Sequence, residues 1–296
     1  MLYNENTIVF SNGKFIKARD AKVSFFNQTL HYGIGVFASM RAYDTNQGTI
    51  IFKGKEHLAK LVEASKKMHL TLDLSIEQLL DICYELLKQN QLTQAYIRPL
   101  VYSDIDMHVQ PTNKSNLTIA AWNWKLYYSD KPLKTMISSY QKTHPRSGPL
   151  NAKVVGHYTN SYLATAEAKN KGFDEAILLD GRGNIAQGAV TNIFIEKSGI
   201  LYTPKMDCIY PGITRLVVFQ LAEEIGVKVK EMNIQPKKLL DADSAFFTGT
   251  ATELTGISHV NTIKLRLDWE DSIGHQLQIM YRRRVTGGQN SHFALR

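Results

Sequence analysis

Residues 123–132 (NWKLYYSDKP) constrain this chain more than any other stretch. The segment is aromatic and polar, has no hydrophobic period and ends in Lys-Pro, so neither a helix nor a strand runs through it. Strand-like and helix-like segments alternate on both sides of it. A chain of 296 residues has room for about two domains. The expected organisation is a small N-terminal domain over 1–122, a connection over 123–132 of the length expected for a functional loop, and a larger C-terminal domain over 133–296.

Local signals place the elements. Ile8-Val9-Phe10 and Lys14-Phe15-Ile16 flank Ser11-Asn12-Gly13, and Asn-Gly predicts a tight hairpin. Leu58, Leu61, Val62, Ser65 and Met68 form one stripe of a helix over about 55–68. Ser75 with Gln78 is a capping box, opening a helix with Ile76, Leu79, Leu80, Cys83, Leu86 and Leu87 on its apolar face. Residues 96–102 and 117–122 read as strands, with Pro99 placing the first at an edge or a bulge. In the second half, helices are expected over about 161–171, 214–226 and 272–284. Strands are expected at 136–137, 176–180, 193–195 and 246–250, with a turn at 181–184. No internal repeat is visible, and the class is α+β or α/β.

Composition narrows the functions. Apolar residues make up 44% and charged residues 21%, a globular balance that excludes a disordered chain. No apolar run approaches the roughly 18–20 residues of a membrane span, and the first ten residues lack the pattern of a secretory signal. The expected location is cytoplasmic, with Cys83 and Cys208 as free thiols and no membrane partner. No CxxC or HxxxH pair suggests a metal. A net charge of +8 suits an anionic small molecule as well as nucleic acid. Nucleic acid is set aside, because Arg282-Arg283-Arg284 at a helix C-terminus answers the helix dipole.

Four segments carry chemistry. Pro211-Gly212-Ile213-Thr214 opens a helix, where free N–H groups and the dipole favour a phosphate; its plain reading is a helix cap. Gly249-Thr250-Ala251-Thr252 is a small turn with two hydroxyls. Lys53, Lys55, Lys60, Lys66 and Lys67 form a basic series whose plain reading is a solvated helix face. Lys153 lies in Leu150-Asn151-Ala152-Lys153-Val154-Val155-Gly156, and apolar neighbours lower an amine's pKa and free it as a nucleophile. Its plain reading is a surface lysine on a loop. Tyr158 stands five residues on as a phenol donor. Taken together, a nucleophilic lysine, two phosphate cradles and aromatic residues are the parts of a pyridoxal 5'-phosphate site.

The order and spacing of eight stretches resemble the class IV aminotransferases, in particular the branched-chain amino acid aminotransferase type. They are LHYGIGVFASMR (30–41), KEHLAKL (55–61), AYIRPLVY (95–102), NAKVVGHYTNS (151–161), FDEAILLDGRGNIAQGAVTNIFI (173–195), LYTP (201–204), PGITR (211–215) and FFTGTATELTGI (246–257). The resemblance implies an α+β, fold-type IV architecture: a small N-terminal α/β domain and a larger C-terminal domain with a barrel-like sheet, the cofactor lying between them. It implies that Lys153 holds the cofactor covalently and moves the substrate's α-proton. Tyr158 would bond the cofactor's phenolic oxygen. Lys60, Gly212, Ile213, Thr214 and Thr250 would hold its phosphate. Tyr96 and the backbone of Ala251 and Thr252 would take the substrate's α-carboxylate. Tyr32, Phe37, Trp124 and Tyr127 would wall the side-chain pocket, and Arg98 would meet the distal carboxylate of glutamate. The implied reaction moves an amino group between leucine, isoleucine or valine and 2-oxoglutarate, in a homodimer or higher homo-oligomer.

Three departures stand out. Gln187 replaces the glutamate that keeps the cofactor's ring nitrogen protonated in this family. Lys60 replaces an arginine, keeping the charge but not the bidentate fork. Thr191 replaces a frequent glutamate, and Val190 and Ser39 replace common glycines. The alternatives are therefore a D-amino acid aminotransferase or aminodeoxychorismate lyase on the same scaffold, against which the Tyr-Ile-Arg-Pro-Leu setting of Arg98 argues, or a cofactor-binding homologue of low turnover.

Overall fold

A computed structural model describes residues 3–112, 114–124, 127–128 and 131–287. The polar segment from Gly287 to Arg296, which the sequence leads one to expect as a disordered tail, lies outside these residues from 288 on, as does part of the 123–132 connection. The chain forms two compact units: Met1–Lys125 with Ala152–His157, and Leu126–Asn151 with Tyr158–Arg296.

The first unit is a seven-stranded antiparallel sheet with helices against it. Its elements are β1 (Ile8–Ser11), β2 (Lys14–Lys17), α1 (Gln28–Tyr32), β3 (Gly35–Phe37), β4 (Met40–Thr45), β5 (Gly48–Ile51), α2 (Gly54–Lys67), α3 (Ile76–Gln89), β6 (Ala95–Ser103) and β7 (Ser115–Trp122). The strand order is β2-β1-β7-β6-β4-β5, with β3 also on β6. The Asn-Gly hairpin forms as expected, with φ of +46° at Asn12 and +88° at Gly13, both needed for this turn. Ser75 and Gln78 complete both arms of the capping box. Leu58 and Leu61 of α2 and Leu79, Cys83 and Leu86 of α3 cover the sheet face built from Met40, Ile97 and Ile119.

Pro99 is not at an edge. It sits mid-way along β6, a central strand, opposite the break between β3 and β4, where its carbonyl accepts from Ala38 N–H at 3.0 Å. Its missing N–H therefore points to the one gap in the ladder.

The second unit comprises β8 (Leu133–Gln141), α4 (Tyr158–Asn170), β9 (Glu175–Leu179), β10 (Ile185–Gly188), β11 (Asn192–Lys197), β12 (Ile200–Pro204), α5 (Ile213–Glu224), β13 (Val229–Met232), α6 (Pro236–Leu240), β14 (Ser244–Gly249), β15 (Glu253–Val260), β16 (Ile263–Lys264) and α7 (Ile273–Val285). Its mixed sheet runs β10-β9-β8-β15-β14-β11-β12-β13. A bridge from Ile185 of β10 to Ile234, two residues past β13, curls the two ends of the sheet towards each other. The interior is apolar, with Ile177, Ile193, Phe247 and Ile257 among its buried members. The turn over 181–184 joins β9 to β10, a strand that its short sequence did not announce.

Cys83 and Cys208 are free. Arg282 and Arg284 pair with Glu253 and Glu224. Among the described residues no helix is long and apolar enough to cross a membrane, and no cluster of metal-ligating side chains occurs.

Candidate active site

The first unit presents an aromatic and cationic sheet face. Side chains alternate along a strand, so residues that pair across β4, β6 and β7 share a side. Arg41 lies opposite Tyr96, and Tyr96 opposite Trp122. Arg98, two residues along, joins them, with its guanidinium carbon 4.3 Å from the Phe37 ring centroid. Trp124 follows β7; its ring centroid is 4.8 Å from that of Tyr96, and its carbonyl accepts from Arg41 Nη2 at 3.2 Å.

Lys153 is brought to this face by a backbone clamp. Val154 bridges Val36, and Phe37 N–H donates to Lys153 O at 3.1 Å. Gly156 N–H donates to Gly33 O at 3.1 Å. A Cβ on Gly33 would lie 2.6 Å from Gly156 Cα, and Gly33 has φ +71°, so a side chain is excluded there twice over. The Lys153 amine ends 5.6 Å from the Phe37 centroid. Burial pushes it down to about 8; the Tyr96 phenol opposes that shift and the Arg98 charge adds to it. Near neutral pH a useful fraction of the amine is therefore uncharged and nucleophilic.

His57 on α2 was not singled out by sequence reasoning. Burial, then the charges of Lys153 and Lys60, push its imidazole down to about 3, so it is neutral. Lys60 is half-buried rather than part of a solvated lysine face. The His57/Lys60 spacing of three residues on one helix was the available signal.

Arg98 Nη2 donates to the Tyr96 hydroxyl at 2.8 Å. Its Nε and the indole N–H of Trp122 are buried with no acceptor. No acidic side chain pairs with Arg98 among the described residues. Tyr32 closes α1, is 43% exposed, and donates to Met107 O at 3.1 Å.

The second unit holds the candidate anion cradle. Gly212 caps α5 without any side-chain cap, so no capping side chain serves the first-turn N–H groups, which include those of Ile213 and Thr214. The approach to the helix is fixed from outside. Gly212 N–H donates to Asn192 Oδ1 at 3.2 Å, and Asn192 Nδ2 donates to Tyr210 O at 2.8 Å. A Cβ at Gly212 would fall 2.4 Å from Asn192 Oδ1. Arg215, only 1% exposed, roots the first turn on Pro204 O and Glu231.

Beside Gly188 and Gly249 are three buried threonine hydroxyls with no partner: Thr191, Thr248 and Thr252. A Cβ on Gly188 would meet Thr191 Oγ1 at 2.3 Å, and one on Gly249 would meet Thr252 Oγ1 at 2.9 Å. Thr250 itself is half-buried in the same turn. The sequence picks out the hydroxyls of Thr250 and Thr252 as parts of one small turn, but not those of Thr191 and Thr248.

Gln187 is buried beside this turn. Its Oε1 accepts from Tyr210 N–H at 3.1 Å, and its Nε2 donates to Gly188 O at 3.3 Å. Tyr158 is the first residue of α4 and half-buried. Tyr127 N–H donates to Ala251 O at 3.2 Å.

An uncapped helix start and orphaned hydroxyls fit a phosphate, because each would otherwise waste a buried hydrogen bond. An amine near 8 fits capture of an aldehyde. This is the equipment of a lysine-dependent pyridoxal-phosphate enzyme.

The profile of the family described as Amino-transferase class IV matches residues 35–260, and the chain belongs to that family. It is 37% identical over 291 residues to the branched-chain-amino-acid aminotransferase of Pseudomonas aeruginosa, covering 96% of this chain and 95% of that one. Among solved structures it is similar to the branched-chain amino acid aminotransferase of Escherichia coli, with TM-score 0.91, 33% identity and coverage of 98% and 97%. A further branched-chain amino acid aminotransferase, from the source designated T.th., is complexed with N-(5'-phosphopyridoxyl)-L-glutamate. It matches with TM-score 0.92 and 32% identity, over 97% of this chain and 96% of that one.

Proposed function

We propose that this protein is a pyridoxal-phosphate-dependent transaminase that moves an amino group between a branched-chain amino acid and 2-oxoglutarate. The observation that carries the reading is the clamped, half-buried Lys153 beside an arginine with no acidic partner among the described residues. The names of its relatives support the branched-chain substrate, and the glutamate conjugate held by one of them supports the second.

Lys153 would bind the cofactor's aldehyde carbon and later carry the substrate's α-proton. Ile213, Thr214, Thr250 and the buried threonine hydroxyls would bind the phosphate, with Lys60 adding charge. Tyr158 would bond the phenolic oxygen and Gln187 the ring nitrogen. When bound, pyridoxal phosphate supplies the electron sink that makes the α-proton acidic. Tyr96 and the turn at Ala251 and Thr252 would orient the α-carboxylate. Tyr32, Phe37, Trp124 and Tyr127 would wall the apolar side chain.

The reading is tested on the cofactor-loaded protein by visible absorption during additions of L-leucine, L-glutamate and D-alanine. The two L-amino acids are expected to bleach the yellow band and D-alanine to leave it. A band that no branched-chain amino acid changes would sink the reading.

Arg98 tests the dicarboxylate half. Arg98→Met is expected to raise the KM for 2-oxoglutarate about tenfold to a hundredfold, the loss of hydrogen bonds to a charged group. It should leave the KM for 4-methyl-2-oxopentanoate within about threefold of the parent, since that acid has no distal carboxylate to lose. Equal losses for both acids would remove Arg98 from that role.

The protein is further proposed to act as a homodimer. Val23, Phe25, Phe26, Leu30, Ile105 and Val109 are each more than half exposed. They lie on two segments of the first unit tied by the Asn27–Ile105 bridge and by Gln28 bonds to the carbonyls of His108 and Gln110. An apolar patch of this kind suits a second copy across a two-fold axis. Light scattering should give a dimer for the parent and a monomer for Phe25→Glu combined with Leu30→Glu. A monomeric parent would refute it.

A further inference from the structure

Glu175 is a buried carboxyl that the proposed reaction does not use. It opens β9, is 2% exposed and has no lysine or arginine paired with it among the described residues. Its Oε1 accepts from Ala176 N–H at 2.8 Å, and its Oε2 accepts from the hydroxyl of Tyr128. Burial pushes this carboxyl up to about 7, against the backbone donors Ala176 and Ala189. An unpaired carboxyl in an apolar setting is costly, so something specific is expected of it.

Tyr128 supplies that use. Its ring packs against the apolar interior of the second unit, the cluster containing Leu133, Ile177 and Ile257. A phenol in such a place needs an acceptor, and Glu175 is that acceptor. The preceding residue, Tyr127, is held at two points. Its ring stands edge-on to Tyr128, 4.8 Å between centroids at 83°, and its N–H bonds Ala251 O. Ala251 belongs to the turn that joins β14 to β15, where Thr252 keeps a buried, unpartnered hydroxyl.

We propose that Glu175 is a positioning residue: through Tyr128 it fixes Tyr127 against the Ala251 turn and so shapes one wall of the substrate pocket. This rests on the reading that the turn receives the substrate's α-carboxylate. The latch is built from a residue anchored in a strand and a phenol plugged into the core, so Tyr127 borrows rigidity from the sheet.

Two measurements separate the latch from that reading. Hydrogen exchange at the Tyr127 amide, in protein without ligand, tests the latch alone. About tenfold faster exchange is expected in Tyr128→Phe and Glu175→Leu, with Glu175→Gln, which can still bond the phenol, close to the parent. Unchanged exchange in Tyr128→Phe overturns the proposal whatever the protein binds; this variant alters one hydroxyl on a loop and is expected to fold. The second measurement is calorimetric binding of 4-methylvalerate to the cofactor-loaded protein, with leucine kinetics alongside. Tyr128→Phe should weaken binding and raise the leucine KM about tenfold while kcat changes less than about threefold. Faster exchange with unaltered binding and KM overturns the pocket role. Failure of the parent itself to bind refutes the functional reading and leaves the exchange result to judge the latch.

Discussion

Lys153→Ala is expected to abolish turnover while leaving the fold intact. Its segment is held by backbone bonds to Phe37 and Gly33 that alanine retains. What is lost is an amine that burial has brought down to about 8. A fall of roughly ten-thousandfold in rate is the scale for removing a group that both captures a carbonyl and moves a proton. The protein should also release its cofactor on a desalting column, read as loss of the visible band. Lys153→Arg keeps a charge without a nucleophile and should behave alike.

The same amine sets a pH dependence. Only the uncharged form attacks a carbonyl, so the rate of cofactor capture should climb as pH rises through about 8 and level off above it. A lysine of ordinary pKa, near 10.4, would still be climbing at pH 9. A capture rate that is flat between pH 7 and 9, or a visible band retained by Lys153→Ala, would remove Lys153 from the role.

Gln187→Glu is expected to change activity in the opposite sense. With no cofactor, the carboxylate would accept from Tyr210 N–H as Gln187 does, but its other oxygen would face Gly188 O, now 3.3 Å from an amide donor. Buried repulsion of that kind lowers the melting temperature of the cofactor-free protein and raises the new carboxyl's pKa. With cofactor bound, that oxygen gains a protonated ring nitrogen as partner. One stabilising group in a buried site is worth about 3 kcal/mol in the transition state. The half-reaction with leucine should then quicken about a hundredfold. A slower half-reaction would mean instead that the amide donor serves an unprotonated ring nitrogen, and that the surroundings are fitted to it.

The features legible in the sequence are those whose causes are local. The Asn12-Gly13 hairpin, the Ser75–Gln78 capping box and the apolar stripe of α2 depend on neighbours within one turn. The proposed nucleophile is legible too, because apolar residues flank Lys153 on both sides. What escaped depends on distant pairing. β10 is four residues long and exists by its register with β9. Thr191, just before β11, and Thr248, in β14, come onto neighbouring strands only through the Asn192–Thr248 pairing. The Glu175–Tyr128 contact spans 47 residues, and no periodicity announces it. Pro99 misled for the same reason: its tolerance in a central strand comes from a break between two other strands.

The return of Ala152–His157 to the first unit bears on how the protein is made. Ala152 and Val154 are buried members of that unit's core, and Val154 bridges β3. A chain leaving the ribosome cannot close this core at residue 125; it must first synthesise β8 and everything up to residue 157. The N-terminal unit is thus completed only after the C-terminal one has begun, contrary to the usual order of domains along a nascent chain. A fragment cut at the 123–132 connection would lack Lys153, the proposed nucleophile, and leave β3 without that bridge, and gene fusions or permutations made there should yield insoluble halves.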